Sequence, residues 1–94
     1  MVREEVVERK LVAAAKKMGG ICAKWVSPGW DGVPDRIVLL SGAKIGFVEL
    51  KAPGKTLRPL QKKRKRQLES LGFSVFKIDR PEQVKEVLDA IQRS

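Results

Sequence analysis

The 94-residue chain contains no histidine, no tyrosine and a single cysteine, Cys22. Without histidine there is no Ser-His-Asp triad, no Cys-His dyad, no Cys/His zinc finger and no imidazole general base. One cysteine forms neither an internal disulfide nor a thiolate metal site, so nothing indicates an oxidising compartment. No apolar run approaches the ~18 residues of a membrane span, and the N-terminal segment lacks the apolar core of a signal peptide. We therefore expect a cytoplasmic protein.

The charge of the chain is strongly positive. Lysine and arginine number 20 against 11 acidic residues, a formal net charge of +9. Because such a surface attracts polyanions, DNA or RNA is the leading candidate partner. A hydrophobic content of 43% is enough for a folded core. A chain this short has a small core, so a dimer would add stability.

Hydrophobic periodicity and turn residues predict the order α-β-β-β-α-β-α. The expected elements are a helix over 3–18, a strand over 21–26, a hairpin of strands 36–40 and 44–51, a helix from Pro59 capped at Gly72, a strand over 73–78 and a helix opened by Pro81. The hairpin strands are apolar on both faces, which predicts a sheet covered on both sides. The predicted apolar stripe of the first helix is Val7, Leu11, Ala14 and Met18, and that of the last helix is Val84, Val87, Leu88 and Ile91. In the second helix, Leu60, Arg64, Leu68 and Leu71 share one face.

The second hairpin strand ends in Glu49-Leu50-Lys51. Residues i and i+2 of a strand point to one face, so Glu49 and Lys51 project together on the face that Ile45 and Phe47 use for the core. Burying a carboxylate and an ammonium there is costly without a purpose. A simple ion pair at the strand end is the alternative interpretation of this tripeptide.

Asp35 follows Gly32-Val33-Pro34 and begins the partner strand. An ordinary loop-to-strand junction would explain it alone, but the hairpin brings Asp35 beside Glu49. Two carboxylates at close range repel each other, and a divalent cation removes that conflict. Oxygen ligands with retained waters are what Mg²⁺ prefers. Glu8 lies near the edge of the apolar face of the first helix and is a further candidate ligand, unless it is a solvated glutamate like Glu4 and Glu5.

An aspartate and a Glu-x-Lys across a hairpin form the pattern of the PD-(D/E)xK nucleases. The amino-acid sequence around these residues resembles the VRR-NUC (virus-type replication-repair nuclease) domains in particular. The matching stretches are VERKLV at 7–12, KWVSPGWDGVPDRIVLL at 24–40, FVELKAPGKTLRPLQ at 47–61 and LGFSVFKID at 71–79. The resemblance covers nearly the whole chain. It implies one α/β domain over 1–94, restriction-endonuclease-like, with a mixed central sheet flanked by helices, as in the single-domain form of phages and bacteria.

The same resemblance implies cleavage of DNA that depends on Mg²⁺ or Mn²⁺. It carries over catalytic roles to Asp35, Glu49 and Lys51. The metal ligands it implies are Asp35, Glu49, the backbone carbonyl of Leu50, and Glu8, which matches the helix glutamate of the family. Gln61 matches a site-lining position.

A dense basic run is the expected contact to DNA phosphates, which gives affinity without reading sequence. Its members are Lys55, Arg58, Lys62, Lys63, Arg64, Lys65 and Arg66. Trp30 is a candidate wedge or stacking residue at a distorted base step. A solvated surface and plain packing are the respective alternatives.

No segment resembles a module that reads the major groove, so we expect selection by DNA shape. The resemblance implies a homodimer that cuts branched DNA such as Holliday junctions, where two symmetric sites suit a two-fold substrate. Three alternatives remain open: a nuclease that prefers flaps or other repair intermediates, a non-catalytic basic DNA-binding module, and an accessory that binds protein partners through the last helix.

Overall fold

A computed structural model describes residues 3–94. Met1 and Val2, which begin the N-terminal segment that lacks a signal-peptide core, lie outside the described residues. The chain folds into α1 (Glu4–Lys17), β1 (Ile21–Lys24), β2 (Arg36–Leu40), β3 (Lys44–Leu50), α2 (Pro59–Ser70), β4 (Val75–Ile78) and α3 (Gln83–Arg93). This is the α-β-β-β-α-β-α order that the sequence predicted. Among residues 3–94, no helix is long and apolar enough to cross a membrane.

The four strands form one mixed sheet in the order β1-β2-β3-β4. The first three are antiparallel neighbours, and β4 runs parallel to β3 because α2 carries the chain back between them. Arg36 pairs with Val48 in the β2–β3 register. The residue before Arg36 therefore lies beside the residue after Val48, which places Asp35 next to Glu49.

One face of the sheet packs against α1 and α3. Its core includes Leu11 of α1, Val38 and Val48 of the sheet, and Ile91 of α3, all fully buried. Gly46 lets α3 approach this closely, since a Cβ there would lie 2.5 Å from Cδ1 of Ile91. This face matches the prediction of a covered sheet.

The opposite face is covered over only part of its area. Phe47 and Val75 pack there against Leu68 of α2, with Trp25 and Trp30 closing over them. At the β1 side of the same face, Ile21 is 59% exposed and its register partner Leu39 is 40% exposed. The prediction of a sheet covered on both sides was therefore wrong for this part, because the short α2 does not extend across β1 and β2.

The apolar stripes were correct for α3 and partly wrong for α1. All four predicted α3 residues are buried. In α1, Ala15 is buried in place of Met18, and in α2 both Leu60 and Leu71 are exposed, leaving Leu68 as the buried residue. The last helix also begins at Gln83 and not at Pro81. The Gln83 side chain accepts hydrogen bonds from the N–H groups of residues 79 and 80, which completes the turn before the helix.

Candidate active site

Asp35 is fixed at the open end of the β2–β3 hairpin. Its Oδ2 accepts a hydrogen bond from the backbone N–H of Leu50 at 2.8 Å. Its backbone carbonyl accepts one from the N–H of Trp25 at 3.0 Å. The half-buried aspartate is thus tied to the strands on both sides of it. The bond from Leu50 places the Asp35 side chain at the end of β3.

Glu49 is a buried carboxyl group in direct contact with Asp35. It lies in β3 with 3% of its surface exposed. Burial, together with the hydrogen bond and negative charge of Asp35, raises the pKa of Glu49 to about 9, while the positive charge of Lys51 acts in the opposite direction. The Glu49 carboxyl group therefore favours its neutral form beside Asp35.

Lys51 directly follows β3 and supplies the positive charge of the group. Its backbone N–H donates to the carbonyl of Ile78 at 3.0 Å, which extends the β3–β4 pairing by one position. Its side chain is half-buried and close enough to lower the pKa of Glu49. The structure thus brings together Asp35, Glu49 and Lys51, the three residues that the sequence singled out.

Glu8 is held by an arginine on the neighbouring strand. Its Oε2 accepts a hydrogen bond from Nε of Arg36 at 2.9 Å, and Nη1 of Arg36 donates to the carbonyl of Cys22 at 3.2 Å. This ion pair ties α1 to β1 and β2. Glu8 and Asp35 nevertheless line one cavity of about 290 Å³, together with Glu4, Lys24, Trp25 and Val26.

Glu4 also lines the candidate site, although the sequence predicted a solvated glutamate at this position. It is solvent-exposed, as expected of a helix-surface glutamate, yet it lines the same cavity, and its charge contributes to the raised pKa of Glu49. The available signal was spacing: Glu4 and Glu8 are four residues apart, so they share one face of α1. A site glutamate at position 8 implies that position 4 faces the same way.

The donor set suits a hard divalent cation. Within residues 3–94, no group of three or more His, Cys, Asp or Glu side chains lies close enough to form a complete cage. The side-chain donors that lie together are the carboxyl groups of Asp35 and Glu49, and the backbone N–H of Leu50 is bonded to Asp35. Mg²⁺ typically binds through one or two carboxylates and retains several waters, so oxygen donors without imidazole or thiolate fit it.

Gln61 lies at the start of α2. Its Oε1 accepts a hydrogen bond from the backbone N–H of Arg58 at 2.9 Å, which satisfies a backbone group just before the helix. The observed contact of Gln61 is therefore local and stabilises the turn that leads into the basic helix.

Two side chains of the basic run contact other residues of the chain, and the other five are exposed to solvent. The guanidinium of Arg64 lies 4.6 Å from the ring centroid of Trp30 and donates to the carbonyl of Asp31 at 2.7 Å. Lys65 pairs with Glu69 at 3.0 Å. The remaining members are exposed: Lys55, Arg58, Lys62, Lys63 and Arg66.

Trp30 is half-buried beside Trp25, with the two ring centroids 6.0 Å apart. Arg64 covers it from the side of α2. In this position, Trp30 packs the loop between β1 and β2 onto the helix.

Comparison with known proteins places this architecture among nucleases. A solved structure described as "VRR_NUC domain" superposes with a TM-score of 0.87 at 26% identity, covering 95% of this chain and 97% of the other. The chain is also 47% identical over 79 residues to "Putative nuclease p44" of Acyrthosiphon pisum secondary endosymbiont phage 1, covering 84% of this chain and 85% of the relative. No family model matches the chain. From the relative and the solved structure, the chain belongs to the VRR-NUC nuclease family.

Proposed function

We propose that this chain is a divalent-metal-dependent, structure-selective DNA endonuclease that hydrolyses phosphodiester bonds with Mg²⁺ or Mn²⁺. The observation that carries the proposal is the contact between Asp35 and Glu49 beside Lys51. Two carboxyl groups in contact, one of them only 3% exposed, form a costly arrangement in an otherwise apolar strand end. Such a cost is typical of functional sites.

Asp35, Glu49 and the carbonyl of Leu50 would hold the cation. When bound, a divalent cation supplies charge neutralisation at the phosphoryl oxygens and lowers the pKa of a water molecule. Binding would displace the proton that the raised pKa of Glu49 retains, so affinity should rise with pH. Glu8 and Glu4 line the adjoining cavity and are the residues able to contact a second ion or its waters.

Lys51 would act on the attacking water or on the phosphate. Its backbone hydrogen bond to Ile78 holds the residue at the strand end, and its positive charge acts on the carboxyl group of Glu49. From there it can orient or deprotonate the water, or neutralise negative charge in the transition state. Both roles require the side chain within reach of the phosphate that the carboxylates face.

The exposed lysines and arginines of the basic run would contact the DNA backbone. A net charge of +9 supports binding to phosphates in any sequence, so selectivity would come from DNA shape. We propose a homodimer acting on branched DNA such as Holliday junctions, since two identical sites match a two-fold substrate. The phage relative supports a cytoplasmic setting, in a bacterial cell or phage-infected host.

A cleavage panel tests the proposal. Wild-type protein is incubated with a labelled four-way junction, a flap and a linear duplex, each with Mg²⁺, Mn²⁺ or EDTA, and the oligomer mass is measured in parallel. We expect junction cleavage with either metal and none with EDTA. The variants Asp35→Asn and Lys51→Met should lose it. Matched controls are Asp89→Asn and Lys85→Met, which remove an exposed ion pair of α3 that lines a different surface.

The other outcomes of the panel identify the alternatives. Preferential cutting of the flap would assign the chain to other repair intermediates. Salt-sensitive binding without cleavage, unaffected by metal, would identify a non-catalytic DNA-binding module and contradict the proposal.

A further inference from the structure

A tight turn connects the candidate site to the basic run. The N–H of Lys55 donates to the carbonyl of Ala52 at 3.0 Å, which closes a four-residue turn directly after Lys51. Pro53 occupies the second position, and Gly54 the third with φ +79°. This is the residue pattern of a type II turn, in which glycine supplies the positive φ. The turn presents Lys55, the first exposed cation beyond the site.

Asp79 holds this turn from the other side of the sheet end. It follows β4, is 6% exposed, and accepts a hydrogen bond at Oδ2 from the N–H of Gly54 at 3.1 Å. The Gly54 bond is the main reason that the pKa of Asp79 is lowered. Burial opposes the shift, and Lys77 and Arg80 add to it.

Lys77 provides a second anchor for the same turn. Its Nζ lies 3.7 Å from Oδ2 of Asp79 and donates to the backbone carbonyl of Lys55 at 3.2 Å. The turn is therefore held at two adjacent residues, through the N–H of Gly54 and the C=O of Lys55. Because Lys77 pairs with Asp79, its positive charge offsets the negative charge that Asp79 would present to an approaching polyanion.

We propose that Asp79 is a positioning residue that holds the turn of residues 52–55, through Gly54 and Lys77, so that Lys55 contacts the phosphodiester backbone of DNA. This inference rests on the proposed function, because it concerns the residue that orders one of the proposed contacts to DNA. A flexible lysine loses conformational freedom when it contacts a phosphate, and a turn that is already ordered reduces that cost. Asp79 acts only through the turn and touches neither substrate nor metal.

A double-mutant cycle on DNA affinity tests the proposal. Binding of a four-way junction is measured in EDTA over a series of KCl concentrations for wild type, Asp79→Ala, Lys55→Ala and the double variant. Asp79→Ala should weaken binding several-fold and reduce the slope of log K against log salt by about one, the value for one lost phosphate contact. In the Lys55→Ala background, Asp79→Ala should have no further effect, because coupled residues are non-additive.

Two further variants separate positioning from a general loss of stability. Asp79→Asn keeps an oxygen acceptor for the N–H of Gly54 and should restore most of the wild-type slope. Asp89→Ala removes an exposed aspartate of α3 that pairs with Lys85, and should bind like wild type. Equal losses from Asp79→Ala in the wild-type and Lys55→Ala backgrounds would overturn the proposal.

Amide hydrogen exchange gives a readout that does not depend on DNA. The N–H of Gly54 should exchange slowly in wild type and in Asp79→Asn, and quickly in Asp79→Ala. If Asp79→Ala does not fold, slow exchange in the other two proteins still supports the anchor, and rapid exchange in wild type overturns it. If the wild-type protein binds DNA but does not cut it, the proposed nuclease activity is refuted, and the double-mutant cycle on DNA affinity can still be interpreted. A wild type that does not bind DNA would refute both.

Discussion

Replacing Glu49 by glutamine should change how the stability of the metal-free protein depends on pH. The pKa of the Glu49 carboxyl is raised from 4.5 to about 9 by burial and by Asp35. Between these values the folded protein holds a proton that the unfolded chain releases. Stability must therefore fall as pH rises through this window. The glutamine side chain of the variant is neutral at every pH and can still donate a hydrogen bond to Asp35, so the variant removes the proton uptake and keeps the contact.

The magnitude follows from the size of the shift. Each pH unit above the unfolded pKa of 4.5 costs roughly 1.4 kcal/mol, which reaches about 3 kcal/mol at pH 7. For a domain of this length, that corresponds to a change in Tm on the order of 10 °C or more. The stability of Glu49→Gln relative to wild type should thus increase steadily from pH 5 to pH 7.

Thermal and urea unfolding in EDTA, measured at a series of pH values, provide the assay. Glu86→Gln, which removes an exposed carboxylate from α3, is the matched control and should keep the wild-type pH dependence. Parallel profiles for wild type and Glu49→Gln would refute the argument, because they would show that Glu49 carries its charge in the folded protein at no cost.

Three further predictions concern catalysis, the basic helix and the core. Lys51→Met should lower the cleavage rate at least about 100-fold in single-turnover assays with little change in DNA affinity, the range expected for a group that acts in the transition state. Arg64→Ala should lower the free energy of unfolding by about 1 kcal/mol, because the contact with Trp30 is lost, and should leave the salt dependence of DNA binding unchanged. Lys63→Ala should reduce the salt dependence of DNA binding and leave the free energy of unfolding unchanged. Leu68→Ala should cost about 2–5 kcal/mol in urea unfolding, and Leu71→Ala, at 73% exposure, less than about 0.5 kcal/mol.

The order of the elements along the chain and the pairing of Asp35 with Glu49 were predictable because both depend on local sequence. A short glycine-containing turn between two apolar runs fixes a hairpin, and the hairpin alone sets which residues lie opposite each other. The motif positions 35, 49 and 51 then meet at its open end. The α3 stripe was equally clear, since its apolar residues recur at helical spacing and all are buried.

The contacts that were missed join segments far apart in the chain. Glu8 meets Arg36, Arg64 meets the loop carrying Trp30, and Asp79 meets Gly54, at sequence separations of 28, 33 to 34 and 25 residues. Hydrophobic periodicity carries no information about such pairs, because each pair depends on how the helices and loops pack against the sheet. The exposed Leu39 illustrates the same limit: its strand is apolar on both faces, but the length of α2 decides which part of the face is covered.

Calorimetric titration of Mg²⁺ and Mn²⁺ into the metal-free protein tests the central claim most directly, that Asp35 and Glu49 form a cation site beside Lys51. The claim predicts one set of binding heats that is lost in Asp35→Asn and Glu49→Gln, retained in Lys51→Met, and accompanied by proton release that varies with the buffer. Metal affinity that is the same in wild type, Asp35→Asn and Glu49→Gln would contradict it.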